Sequence, residues 1–271
     1  MWLVQPDAGR MTQVSNEITS RFAPRLVGSA GLTVDHGVWH RLLAAHVEPG
    51  RDGLNRVDYS GLKSNSKHLS DYIAQLERTD VTALTRDDQF AYWVNLYNAL
   101  TVRVVVDHYP VASIRDIALG GSLAAAVIGG PWKAKLAKVC GLDLALDDIE
   151  HTILRGEFKD PRLHYAINCA SVGCPNLRIE PFTGGDLEIT LEAAARDFIN
   201  SPRGMAIENG QIVLSGIFKW YRRDFGGDER AVLAHIARYA DKPRRAAIER
   251  RLPVTRYDYD WRLNDAHLPS I

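Results

Sequence analysis

Thiol, acid–base and metal chemistry draw on a few residue types, and these concentrate between Glu150 and Pro175. The densest run is His164-Tyr165-Ala166-Ile167-Asn168-Cys169-Ala170-Ser171-Val172-Gly173-Cys174-Pro175. Residues 162–169 carry a strand-like pattern. In a strand, side chains alternate between faces, so His164 and Asn168 share one face and Cys169 shares the other with Tyr165 and Ile167. That parity makes Cys169 a core thiol unless the strand bends after Asn168. Cys174 follows Gly173, which permits a tight turn. It precedes Pro175, a residue favoured at the first position of a helix. A helical turn starting there would put Cys174 at the N-cap, where free N–H groups and the helix dipole favour a thiolate. A thiolate beside an imidazole is the basic unit of thiol-dependent acyl transfer. The plainer alternative is a pair of structural cysteines in a turn.

Upstream, Asp148-Ile149-Glu150-His151 precedes Leu154-Arg155. On a helix, Glu150 and Leu154 share one face, and His151 and Arg155 the adjacent one. A carboxylate beside an imidazole can orient a base or hold a metal, and it is also the ordinary content of a solvated, salt-bridged helix end. Glu150, His151, His164, Cys169 and Cys174 are all zinc-ligand types. However, the C-x4-C spacing is loose for a zinc knuckle, and no second Cys or His pair follows. We therefore expect no metal and no cofactor, and keep a structural zinc site as a third option. Asn95 and Asn98 sit near the edge of an apolar helical face. There they could donate to an oxyanion or tie the helix to a neighbouring loop.

These residues need elements to hold them. Val38, Trp39, Leu42, Leu43 and Val47 recur at helical spacing before Pro49-Gly50, and Leu62–Glu77 reads as a second helix. The strongest helix runs from Thr85 to His108, with Thr85 as N-cap and Asp88 in a capping-box-like position. Residues 146–154 read as a short helix capped by Asp147 or Asp148. Thr183-Gly184-Gly185-Asp186 leads into a helix that buries Leu187, Leu191, Ala194 and Phe198. Residues 207–214 form a hairpin turning at Asn209-Gly210. Helices follow over residues 217–223, 229–240 and 243–251, then a half-buried strand through Tyr257, Tyr259, Trp261 and Leu263. Gly120-Gly121 and Gly129-Gly130 lack a phosphate-binding fingerprint. Scattered strands among helices predict an α+β fold, mainly helical with a small, mostly antiparallel sheet. With no linker visible, residues 34–271 are expected to form one domain behind a poorly packed lead-in, residues 1–33.

Composition narrows the function classes. Lys+Arg and Asp+Glu both number 33 in 271 residues, so no global field favours nucleic acid or anionic lipid. No apolar run approaches the roughly 20 residues of a spanning helix. The first ten residues lack a secretory pattern, and three cysteines make no disulfide framework. A cytoplasmic protein with reduced thiols is the expectation. A small-molecule or peptide substrate or a protein partner remains open, with nucleic acid and membrane set aside.

Five ordered strings resemble the domain-of-unknown-function family 547. They are residues 92–99 (Tyr-Trp-Val-Asn-Leu-Tyr-Asn-Ala), 148–155, 160–164 (Asp-Pro-Arg-Leu-His), 169–175 and 259–264 (Tyr-Asp-Trp-Arg-Leu-Asn). The resemblance spans Val34 to Asn264. It implies a fold grouped with papain-like and transglutaminase-like enzymes, which place a cysteine at a helix N-terminus and a histidine on a strand. Here the order differs, because His164 precedes Cys174 and Asn95 occupies the long helix. The resemblance also implies a partner-binding use, since some plant members carry an added coiled coil. This chain has no heptad run.

The leading expectation is a thiol-dependent hydrolase or acyl transferase acting on an amide or thioester. Cys174 is its nucleophile and His164 its base. Glu150 or Asn168 orients the imidazole, Asn95 or Asn98 holds the oxyanion, and Cys169 is a reserve nucleophile or disulfide partner. The alternative is a non-catalytic protein-binding module.

Overall fold

A computed structural model of the chain describes residues 8–23, 32–119 and 130–267. The helices in chain order are α1 (Ala8–Phe22), α2 (Gly37–His46), α3 (Tyr59–Ser64), α4 (Ser66–Arg78), α5 (Arg86–His108), α6 (Asp148–Phe158), α7 (Leu163–Ala166), α8 (Leu187–Ile199), α9 (Gly216–Trp220), α10 (Glu229–Tyr239) and α11 (Lys242–Glu249). The strands are β1 (Val47–Pro49), β2 (Asn55–Val57), β3 (Ala137–Val139), β4 (Leu142–Leu144), β5 (Met205–Glu208), β6 (Gln211–Ser215) and β7 (Val254–Asp258). β1–β2, β3–β4 and β5–β6 are antiparallel, and β7 joins β6 in parallel. The architecture is α+β, mainly helical, with small and mostly antiparallel sheets, as the scattered strand pattern predicts.

α5 is the central element. Thr85 caps it: its hydroxyl oxygen accepts the Asp88 N–H at 3.2 Å and its O–H donates to the Asp88 carboxylate at 2.6 Å. The helix is buried on all sides from Gln89 to Val102, so the single apolar face read from the sequence extends right round it. α1, α3, α4 and α6 pack around α5 in one core cluster. A second cluster fills the space between α8, α9, α10, α11 and the three-stranded sheet, centred on Tyr165, Phe198, Phe218 and Phe225.

Several expectations need correction. Residues 163–166 form a helical turn, not a strand. Asp160 starts it by accepting the Arg162 N–H at 2.8 Å. The turn lies on the seam between the two cores: Leu163 and Ala166 enter the first cluster and Tyr165 the second. The segment is buried on both sides, so the strand-like alternation of its residue types does not correspond to a buried and an exposed face. The lead-in also differs, because Ala8–Phe22 is a helix whose Ile18 and Phe22 are core residues, with Phe22 packed edge-on against Trp93 at 4.9 Å. The expected helix over 62–77 is two helices, broken at Asn65, whose amide donates to His46 Nε2 at 3.0 Å.

α6 is longer than expected and π-helical throughout. Such wide helices are rare and often accompany functional sites. Neither Asp147 nor Asp148 makes a side-chain cap to it; the Asp148 carboxylate accepts the Ala145 N–H at 2.8 Å instead. The Asn209-Gly210 hairpin is as read, with φ of 50° and 74° at the turn. The C-terminal strand ends at Asp258, earlier than expected. Gly120, Gly121 and Gly129 lie outside the described residues.

Candidate functional site

The loop from Asn168 to Pro175 is built by its own side chains. The Asn168 carbonyl oxygen accepts the Ala170 N–H at 2.8 Å, and its amide donates to the Pro175 carbonyl at 2.7 Å. One buried side chain thus ties the two ends of the loop together. Ala170 takes a left-handed φ of 61°, a conformation that costs a non-glycine residue about 1 kcal/mol. No helix begins at Pro175, so Cys174 lies in a turn and not at an N-cap; its N–H donates to the Ser171 carbonyl at 3.1 Å. The C-terminal segment runs against the loop: Val172 N–H donates to the Arg262 carbonyl and Gly173 N–H to the Asp260 carbonyl, both at 2.8 Å. This pairing delivers Tyr259. Gly173 is required for the close approach, because a Cβ there would lie 2.8 Å from the Asp260 nitrogen and 3.0 Å from the Tyr259 ring.

The loop brings the Cys169 and Cys174 sulfurs into direct contact, 2.6 Å apart, as free thiols. The Tyr259 hydroxyl is 3.1 Å from each sulfur. Ser171 Oγ is 3.4 Å from each and 3.0 Å from the Tyr259 oxygen. Cys174 Sγ also accepts the Cys169 backbone N–H at 3.0 Å. Cys174 is only 2% exposed, whereas Cys169 is partly exposed. Burial pushes the Cys174 thiol up, but hydrogen bonds from Cys169, Ser171 and Tyr259 outweigh it and bring the thiol down to about 6. Donation to Cys174, then burial, drives Cys169 well upward. Cys174 Sγ thus has a backbone N–H donor in addition to the hydroxyls it shares with Cys169, and donors favour the charged form of the group they point at.

A cation supports that charge. Arg203 donates to the Cys174 carbonyl, to the Gly53 carbonyl at 3.2 Å and to Asn176 Oδ1 at 2.9 Å. It makes no carboxylate ion pair among the described residues. Burial lowers its pKa, and the Cys174 charge opposes that.

His164 belongs to a different cluster. Its Nε2 is 2.7 Å from Asp224 Oδ2, and its ring stacks on Tyr221 with centroids 4.1 Å apart. Asp224 also takes a two-pronged ion pair from Arg155, at 2.6 and 2.9 Å. The Tyr221 hydroxyl donates to Glu150 Oε1 at 2.6 Å, and the Tyr97 hydroxyl donates to Glu150 Oε2 at 3.1 Å. Burial holds His164 neutral by lowering its pKa. Burial raises Asp224, but His164 and Arg155 overcome that and leave it well below the usual carboxylate range. The clusters are neighbours: after burial and Glu150, the nearby thiol pair also raises the Tyr97 and Tyr221 hydroxyls. Even so, His164 hydrogen-bonds to neither thiol, and Glu150 is held by tyrosines, 3.9 Å from His151 Nδ1, instead of orienting His164.

The three asparagines are backbone clamps. Asn95 donates to the Phe182 carbonyl at 2.7 Å and accepts the Phe182 N–H at 3.2 Å. Asn98 donates to the Ala166 carbonyl at 3.0 Å and accepts the Asn168 N–H at 2.8 Å. Asn98 and Asn168 brace the thiol loop, and Asn95 ties α5 to the segment at Phe182. Of the zinc-ligand types, Glu150 and His164 lie in the tyrosine–carboxylate cluster and Cys169 and Cys174 in the thiol pair. No group of three His, Cys, Asp or Glu side chains that could hold a metal occurs among the described residues.

Sequence reading alone missed Tyr259, Ser171, Arg203, Tyr221 and Asp224 as site residues. Ser171 sits inside the cysteine motif, and Tyr259 opens the last of the five family-like strings. Those were the available signals. Arg203, Tyr221 and Asp224 had none.

Fold and site together define an α+β domain built around a contacting thiol pair, flanked by a tyrosine–carboxylate–imidazole network. Residues 81–199 match the family model described as "Protein of unknown function, DUF547", so the resemblance seen in the sequence holds and this segment belongs to that family. The matched segment contains Asn95, Asn98, Glu150, His164, Cys169 and Cys174, whereas Arg203, Tyr221, Asp224 and Tyr259 lie beyond it. No curated protein and no solved structure matches the chain.

Proposed function

We propose that this protein is a thiol-dependent acyl transferase or hydrolase in which the Cys174 thiolate attacks an amide or thioester carbonyl. The observation that carries the reading is the set of donors converging on Cys174 Sγ: the Cys169 N–H, the Tyr259 hydroxyl and Ser171 Oγ. They stabilise a thiolate without an imidazole, so His164 is not the base here. As the carbonyl carbon bonds to sulfur, charge moves off Cys174 and onto the carbonyl oxygen. The Tyr259 O–H, no longer needed by the sulfur, donates a hydrogen bond to that oxygen. Collapse of the oxyanion breaks the bond to the amine or thiol leaving group, which takes a proton from solvent, and water or an acceptor nucleophile then removes the acyl group from Cys174. Glu150, His164, Asp224 and Arg155 act from behind by holding Tyr221 and Tyr97 in place.

The test is mass-resolved labelling of the full chain. Fast iodoacetamide labelling of Cys174 in mildly acidic buffer, and a covalent acyl adduct on Cys174 from p-nitrophenyl esters or acyl thioesters, are the expected results. Slow labelling and no adduct would sink the proposal. That outcome would favour the binding-module reading, which rests on the 2% exposure of Cys174.

A further inference from the structure

We infer that Cys169 and Cys174 are a redox pair, and that a small hydroperoxide joins them in a reversible disulfide that withdraws the Cys174 nucleophile. The consequence for activity rests on the acyl-transfer reading; the disulfide chemistry does not.

The loop is organised to present two sulfurs to each other. Asn168 cinches its ends, Ala170 accepts a left-handed backbone, and residues 170–173 are braced by residues 260–264. No metal-type cluster among the described residues accounts for the pairing. The third cysteine is a contrast: Cys140 sits in the β3–β4 turn at φ 48°, with its sulfur 3.9 Å from Asp80. A shared proton links Cys169 and Cys174, so charge can pass from the buried sulfur to the partly exposed one.

The steps balance. Cys174 takes the proton from Cys169, and the Cys169 thiolate attacks one peroxide oxygen. The O–O bond breaks, leaving a sulfenic acid and hydroxide. Hydroxide removes the Cys174 proton as water. The Cys174 thiolate then attacks the Cys169 sulfur, and the S–O bond breaks to release a second hydroxide, which takes a proton from solvent. Two sulfurs are oxidised by two electrons in all, and one peroxide becomes two waters.

The experiment treats the full chain with hydrogen peroxide, alkylates it and maps the peptides. The expected product is a peptide spanning Cys169 and Cys174 that is two hydrogens lighter, resists alkylation and is restored by dithiothreitol, while Cys140 remains alkylatable. In Cys174→Ala, dimedone should trap a sulfenic acid on Cys169. Free thiols at both positions after peroxide, or direct passage of Cys169 to an irreversible sulfinic acid, would overturn the inference. Acylation of the reduced protein is measured in parallel. Disulfide without an acyl adduct keeps this inference and removes the acyl-transfer reading; an adduct without disulfide does the reverse.

Discussion

Tyr259→Phe should raise the midpoint of Cys174 alkylation. The substitution keeps the ring that packs on Trp220 at 4.8 Å and Trp261 at 4.7 Å, and removes only the hydroxyl that lies 3.1 Å from each sulfur. A hydrogen bond to a charged group contributes about 1.5–3 kcal/mol. At about 1.4 kcal/mol per unit, its loss raises the Cys174 pKa by roughly 1 to 2 units. The remaining donors, Cys169 N–H and Ser171 Oγ, keep it from rising further. The assay is the iodoacetamide rate at Cys174, resolved by peptide mass, from acidic to alkaline pH in both proteins. An unmoved midpoint, or one displaced downward, would refute the idea that Tyr259 stabilises the thiolate.

The same thiols make stability depend on pH in two opposite ways. Cys174 is depressed to about 6 in the fold, against about 8.5 in an unfolded chain. Its contribution is therefore fully present above about 8.5 and is lost as pH falls toward the folded value. Cys169 is raised, so its contribution is present below about 8.5 and is lost as pH rises through its folded pKa. The pair favours the fold most at mildly alkaline pH.

Gly173→Ala places a Cβ against the Asp260 nitrogen and the Tyr259 ring; it should push Tyr259 off the sulfurs and raise the alkylation midpoint in the same direction as Tyr259→Phe. Asn95→Ala leaves the Phe182 N–H and carbonyl unpaired in the core and should cost about 2–4 kcal/mol in urea unfolding; full stability with lost acylation would instead restore an oxyanion role. His235 is lowered to about 4 by burial, with smaller effects from Arg238 and other neighbours. The unfolded state therefore binds its proton first as pH falls from about 6.5, and stability drops across that interval. His235→Phe should flatten the acid side of the stability–pH curve between these values, and an unchanged slope would contradict it.

What the sequence revealed tracks how locally each feature is determined. The Thr85 cap, the Asn209-Gly210 turn and the stripe of α8 depend on residues a few positions apart, and all are present. The 163–166 segment failed because its surroundings are set by two distant cores, which favoured a helical turn over alternation. The site divided in the same way. Cys169 and Cys174 are brought together by their own loop, so a motif reading found both. Tyr259, Arg203 and Asp224 arrive from 29 to 90 positions away through pairings that leave no local pattern. The motif thus marks the two sulfurs that touch, whereas the histidine read beside them pairs with Asp224.

The separation of the two clusters has an electrostatic reason. Each acidic group of the two clusters already has its own partners: Asp224 pairs with Arg155, Glu150 accepts two tyrosine O–H groups, and Cys174 has convergent donors with Arg203 behind its carbonyl. A protonated His164 beside Cys174 would have to leave Asp224, exposing a half-buried Arg155–Asp224 pair to a changed charge balance. Holding His164 neutral against Asp224 instead fixes its tautomer, since Nε2–H must donate to the carboxylate. The imidazole thus serves as a rigid plate under Tyr221, and the thiols draw their acidity from hydroxyls and backbone. On this argument Asp224→Asn should perturb Tyr221 and the stability of α6 before it changes the Cys174 midpoint, the reverse of the order a Cys–His dyad would give.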